Sequence, residues 1–206
     1  MTGISATSAL IVFGRAPRAG RVKSRLAAGI GPARAADTYA RLLDHALEIA
    51  GHADFTRYYF YCADVDEMDY FRRRLNPDHW SVASQSDGNI GDRMLNAFTA
   101  VLGEHSRVVL IGSDVIDSTA GDLEQARSVL ETESHGAVLG PSADGGYWLL
   151  GLCGVNQILF DGIRWSTAEV AARTLANLRS NGSEVFCLPV RHDVDVAADM
   201  VLLEEE

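Results

Sequence analysis

Five of the 18 basic residues in this 206-residue chain (Arg15, Arg18, Arg21, Lys23 and Arg25) fall in one eleven-residue stretch, and Lys23 is the only lysine. A lysine ammonium is a compact point charge and a guanidinium is a planar fork, so the two neutralise phosphate oxygens in different ways. With Gly14 before it, the stretch reads Gly14-Arg15-Ala16-Pro17-Arg18-Ala19-Gly20-Arg21-Val22-Lys23-Ser24-Arg25. Gly14 and Gly20 permit close backbone approach to a ligand. It is not a Walker A loop, which needs contiguous Gly-Lys-Ser/Thr, because Arg21-Val22 intervene. A solvated basic turn is the plain alternative. Its position after an apolar run favours an anion site.

Carboxylates supply the second kind of chemistry. Asp114 follows the apolar run 107–111 directly, where a carboxylate could hold a divalent cation that bridges phosphate oxygens. A lone aspartate there is otherwise a turn or cap residue, and Asp117 is the better cap for the helix that follows. Asp193-Val194-Asp195 offers a pair whose side chains share one face if the segment is extended. Asp144-Gly145-Gly146 is a tight turn that could bring backbone close to a sugar or base, or simply an Asp-Gly hairpin. Among the histidines only His192, beside the aspartate pair, stands near any of these groups.

Strands and helices of matching length must position these residues. Residues 10–13, 58–62, 80–83, 107–111, 137–139, 147–152 and 185–188 read as strands. Helical spacing covers 32–50 (Ala35, Tyr39, Leu42, Leu43, Ala46 and Leu47 on one face), 66–75, 91–102, 121–133 and 167–180, with a short acidic helix from 197. This alternation implies a largely parallel, doubly wound α/β sheet in one domain over 1–206, with ligands beyond the carboxyl ends of the strands.

Composition narrows the partners. A net charge of −10 argues against non-specific nucleic-acid binding, so the local cationic loop points to a small anion. No apolar run reaches the roughly 18–20 residues that cross a bilayer, and residues 1–8 lack a basic signal-peptide start, so a cytoplasmic protein without a membrane anchor is expected. Cys62, Cys153 and Cys187 are odd in number and far apart, which excludes a disulfide framework and suggests three buried small hydrophobes.

These pieces occur in a familiar order: Val12-Phe13-Gly14-Arg15-Ala16-Pro17, Gly20 to Leu26, Gln85 with Gly91-Asp92-Arg93-Met94, and Ile111-Gly112-Ser113-Asp114. Leu139-Gly140-Pro141, Asp144 to Trp148, Leu159-Phe160, Trp165-Ser166-Thr167, and Asp193-Val194-Asp195 with Asp199 complete it. Over nearly its whole length the chain resembles a bacterial family of nucleotide-diphospho-sugar transferases, described as GT-A-like glycosyltransferases of unknown substrate and in some members as arsenosugar-biosynthesis glycosyltransferases. More distantly it is similar to guanylyltransferases acting on molybdopterin or 2-phospho-L-lactate.

The resemblance implies a GT-A-like three-layer α/β/α sandwich with a mostly parallel, mixed, twisted sheet. It implies that Phe13, Gly14, Arg15, Gly20, Arg21, Lys23 and Arg25 grip the nucleotide phosphates. Gln85, Gly91 and Arg93 would lie near base or ribose, and Asp144, Gly145, Gly146, Tyr147 and Trp165 near the acceptor. Asp114 and Asp195, with Asp193, would hold Mg²⁺ or Mn²⁺; Lys23, Asp114 and Asp195 would carry catalysis. The chain departs from the family at Val115-Ile116 (usually Cys-Pro), Val196 (usually Thr) and Arg15 (usually Lys).

The expected partners are a nucleotide sugar or nucleoside triphosphate and a small acceptor, with a homodimer compatible. Glycosyl transfer is the leading expectation, and nucleotidyl transfer to a phosphorylated molecule with release of pyrophosphate is the alternative. A phosphohydrolase built on Asp193-Val194-Asp195 is disfavoured, because that pattern opens a domain and here only eleven residues follow it. A non-catalytic nucleotide-binding module is the remaining rival.

Overall fold

A computed structural model describes residues 7–132 and 136–203. Its strands are β1 (Ser8–Gly14), β2 (Arg57–Cys62), β3 (Trp80–Ser84), β4 (Arg107–Ile111), β5 (Ala137–Pro141), β6 (Tyr147–Leu152) and β7 (Val185–Cys187). The helices are α1 (Ser24–Ile30), α2 (Pro32–His52), α3 (Met68–Arg74), α4 (Ile90–Leu102), α5 (Ala120–Glu131) and α6 (Val170–Ser180). All seven strands join one sheet in the order β3-β2-β1-β4-β6-β5-β7. Only β6 runs antiparallel to its neighbours, β4 and β5.

β1 is buried along its whole length because helices cover both faces. Its alternation sends Leu10 and Val12 toward Leu43 of α2, Phe71 of α3 and Leu123 of α5. Ala9, Ile11 and Phe13 point the other way, onto Met94, Ala97 and Phe98 of α4. Three layers result, as the resemblance implied. From β1 the chain moves outward through β2 to β3, then returns to place β4 on β1's other side. The crevice between the carboxyl ends of β1 and β4 is therefore the topological switch point, where open α/β sheets bind ligands.

Several local readings change. Helix α1 was not anticipated, since only Leu26 of its seven residues is buried and the apolar signal is correspondingly faint. α5 starts at Ala120, capped by Thr119 in a capping box with Asp122; Asp117 is thus not its cap. Instead Asp117 accepts hydrogen bonds from the His192 backbone N–H (2.8 Å) and pairs with its Nδ1 (2.9 Å). α6 starts at Val170, not 167, because Ser166 has left-handed backbone with φ 61°. The final element, Ala197–Leu203, is a 3-10 helix. The expected end of α5 at 133 lies outside the described residues. Cys62, at the end of the inner strand β2, is buried, but Cys187 on the edge strand β7 and Cys153 just past β6 are exposed.

Candidate functional site

The two conspicuous loops meet at the switch point. Lys23, at the start of α1, has left-handed backbone (φ 46°, ψ 54°), a costly conformation for a residue with a Cβ. Its side chain is almost fully buried, and its Nζ donates to Asp195 Oδ1 at 2.6 Å and Asp114 Oδ2 at 3.2 Å. Burial alone would lower its pKa, but the charges and hydrogen bonds of Asp114 and Asp195 outweigh that and raise it above the ordinary lysine range. The only lysine is thus a fixed cation between two partly exposed carboxylates.

The convergence is built by backbone. The segment 191–195 lies between the loops that follow β4 and β5: Val115 bridges to Asp193, and Ser142 bridges to Arg191. Ile116 N–H donates to His192 O and Val194 N–H to Asp114 O, each at 3.2 Å. Ile116 and Val194 bury their side chains against Leu26 and Leu42, anchoring both carboxylate loops on α1 and α2. The departure Val115-Ile116 therefore leaves the loop well held, and a proline at 116 would lack the N–H given to His192. Asp199 Oδ2 accepts from the backbone N–H groups of Asp195 and Val196, both at 2.8 Å.

The cationic loop is secured separately. Glu67, 1% exposed, accepts from Ala16 N–H at 2.7 Å and meets Arg18 Nε at 3.4 Å, so Arg18 faces away from the crevice. Arg15 donates to the Arg21 carbonyl at 2.9 Å. The Tyr39 hydroxyl bonds Ser113 Oγ (2.8 Å) and accepts from Arg15 N–H (3.2 Å), joining the β1 and β4 loops; its burial raises its pKa, so it stays protonated.

Two adjoining cavities open on either side of Asp114 and Asp195. The larger, about 500 Å³, is lined by Phe13, Gly14, Arg15, Gly20, Arg21, Lys23, Arg25, Gln85 and Arg93, all expected near the nucleotide. Arg93 Nη1 donates to Gln85 Oε1 at 3.3 Å, and Gln85 Nε2 donates to Tyr61 O at 3.0 Å. The smaller, about 330 Å³, is lined by Asp144, Gly146, Tyr147, Trp165 and Asp193, among others. Phe13, Ile90, Gly112, Asp114 and Asp195 line both.

Two expected residues do not line either cavity. A Cβ on Gly91 would lie 2.4 Å from Trp165 Cζ2, so this glycine seats the indole against α4. Gly145 (φ 89°) packs its Cα on Ala168, where a Cβ would come 2.2 Å from the carbonyl oxygen. Among residues not anticipated, Tyr39, Ser113 and Ser166 line the cavities. Lys23 and Ser166 are the two non-glycine residues with positive φ among the described residues, one in each cavity. Backbone strain of that kind leaves no mark in sequence.

Asp193 has its pKa pushed up to about 6, first by burial and then by the charge of Asp144, with Asp195 and Asp114 adding to it. Among the described residues no three His, Cys, Asp or Glu side chains form a metal-holding group. Asp114 and Asp195 nevertheless converge on one point and already hold a cation there, the Lys23 ammonium. Two hard carboxylate oxygens, completed by phosphate oxygens of a ligand, suit Mg²⁺ or Mn²⁺.

The profile of a family described as an uncharacterized protein conserved in bacteria, DUF2064, matches residues 46–167. The fold is similar to that of a protein of Desulfovibrio desulfuricans G20 designated a nucleotide-diphospho-sugar transferase: 31% identity, TM-score 0.87, with 95% of this chain and 85% of that chain covered. Rv0371c of Mycobacterium tuberculosis H37Rv in complex with manganese is similar in fold at 17% identity and TM-score 0.59, over 98% of this chain and 99% of that one. The inositol-1-phosphate CTP transferase of T. maritima aligns at 14% identity and TM-score 0.58, over 96% and 93%. No curated protein matches the chain. Among the described residues no helix is long and apolar enough to cross a membrane.

Proposed function

The chain belongs to the DUF2064 family and is a transferase, and we propose that it uses a divalent metal to move a glycosyl group from a nucleotide sugar to a small acceptor. One observation carries this reading: two cavities of unequal charge meet at a carboxylate pair bridged by Lys23. In it, the single domain expected over 1–206 holds both halves of the site. The cationic cavity takes the nucleotide, with Arg21, Lys23 and Arg25 around the diphosphate and the Arg93–Gln85 pair toward base or ribose. When bound on Asp114 and Asp195, Mg²⁺ or Mn²⁺ would supply Lewis-acid charge to the phosphate oxygens.

The acceptor hydroxyl oxygen then bonds to the anomeric carbon as the bond from that carbon to the phosphate oxygen breaks. The bonding pair leaves with the nucleoside diphosphate, and Lys23 with the arginines stabilises the charge that develops there. The hydroxyl proton passes to a carboxylate of the smaller cavity; Asp193, with its pKa pushed up to about 6, has the proton affinity suited to that role. Fixed positioning on rigid strand ends supports the rate without a covalent nucleophile.

A thermal-shift screen with UDP- and GDP-sugars and nucleoside triphosphates, each with and without Mn²⁺ or Mg²⁺, tests the proposal. A ligand that binds only the folded state raises the midpoint. The expected outcome is a metal-dependent rise with a nucleotide sugar that is lost in Lys23→Ala and Asp114→Ala. A folded protein whose midpoint no nucleotide moves would overturn it.

A further inference from the structure

Charge divides the two cavities more sharply than shape. The nucleotide half carries four arginines and Lys23 against the two shared carboxylates, Asp114 and Asp195. The smaller half is lined by four carboxylates, Asp114, Asp144, Asp193 and Asp195, and by no lysine, arginine or histidine. Lys23, the nearest cation, is already engaged by Asp114 and Asp195. Asp144 stands on the exposed side of this half, its Oδ1 accepting from Gly146 N–H at 2.8 Å, and its charge is felt at Asp193. Beyond the shared edge, where Lys23 offsets Asp114 and Asp195, a phosphomonoester or carboxylate entering this half meets Asp144 and Asp193 with no lysine, arginine or histidine beside them to pair it.

The remaining wall is aromatic and apolar. Trp165, fixed against Gly91, stands with Phe13, Tyr147 and Met94 around the same space. Ser142, Ser166 and Thr167 add small hydroxyls at its edge. Aromatic faces pack the C–H face of a ring, while carboxylates accept hydrogen bonds from hydroxyl or ammonium groups.

Resting on the transferase reading, we infer that the acceptor is a polyhydroxylated ring that is uncharged or carries an amine, and that phosphorylated acceptors are excluded from this site. This deepens the proposed function by deciding between its chemistries. Nucleotidyl transfer needs a phosphorylated acceptor whose oxygen attacks the α-phosphorus, and the smaller cavity repels that group. Sugar transfer needs only a hydroxyl.

Two measurements test it together. With Mn²⁺ and nucleoside diphosphate present, methyl glucoside and glucose 1-phosphate are titrated against the fluorescence of a Trp80→Phe protein, whose two remaining indoles, Trp148 and Trp165, both line the smaller cavity, Trp148 being buried and so out of reach of quenchers. In the same protein without ligand, quenching by iodide, caesium and acrylamide is compared. The expected result is at least tenfold weaker binding of the phosphate ester than of the glucoside. Trp165 should be open to acrylamide and caesium but shielded from iodide, with the iodide barrier reduced in Asp144→Asn.

Equal or tighter binding of glucose 1-phosphate, or iodide quenching as efficient as caesium, would overturn the inference. Failure of the transferase reading looks different: nucleotides then give no thermal shift, while the quenching comparison still reports the charge of the cavity.

Discussion

Lys23 meets two opposed demands. A nearly buried ammonium would ordinarily lose its proton, and two carboxylates this close would ordinarily repel each other. Each group relieves the other's cost, at the expense of a left-handed backbone at Lys23. Asp193 has no such cation, and burial with three neighbouring aspartates opposes its ionisation more than a backbone hydrogen bond favours it. Its folded-state pKa of about 6 is above the ordinary carboxylate value, so its ionisation destabilises the fold progressively as pH rises through 4 to 6 and fully above that. Asp193→Asn should therefore raise stability at pH 7.5 by about 1 kcal/mol, allowing for its half exposure, and leave it unchanged near pH 3.5. Urea titrations at the two pH values check the sign, and an equal effect at both would refute the cause.

At the scale of elements, short loops on long supports do the positioning. Helices α4 and α5 both begin in full capping boxes, Asn89 with Asp92 and Thr119 with Asp122, which fix the entrances to loops beside the site. Asp122 is also held by Arg191 Nη2, at 2.8 Å to each oxygen, so the cap of α5 ties down the segment that delivers Asp193 and Asp195. The β5–β6 turn depends on Gly145, whose φ of 89° and contact with Ala168 leave no room for a side chain. Gly145→Ala should cost at least about 2 kcal/mol, because strain and backbone overlap act together. Its urea midpoint should fall, whereas Gly154→Ala, with open space around it, should change little.

For the whole molecule, the core and the site share atoms. Phe60 of β2 stacks on Phe71 of α3 with ring centroids 3.8 Å apart. Its Cζ would lie 2.8 Å from a Cβ on Gly14, so the core ring packs directly beneath the first glycine of the cationic loop. Phe60→Ala opens a cavity there and should cost about 3–5 kcal/mol, a large share of the roughly 5–15 kcal/mol that keeps a domain folded. Because the void lies under Gly14, nucleotide affinity should fall along with the melting temperature. Normal affinity in a folded but destabilised variant would show that core and loop are uncoupled.

Much of this was legible in the sequence because it is local. Strand β4 announced itself by Arg107–Ile111, the buried strand β1 by its apolar run, and the cationic loop by five basic residues in eleven. The layered α/β class followed from alternation alone, and the family from motifs spread along the chain. What sequence could not decide depends on groups far apart in the chain. The meeting of Lys23 with Asp195 spans 172 positions. Which arginines face the crevice also waited on the fold: Arg18 looks no different from Arg25 until Glu67 turns it away. Asp117 resembled a cap until the 191–195 segment supplied His192, and Gly91 resembled a ligand contact until Trp165 was found against it. Local pattern fixes the elements because backbone propensity and burial period are local. The division of one crevice into a cationic half and an anionic half is set by tertiary structure, because charge acts through space and not along the chain.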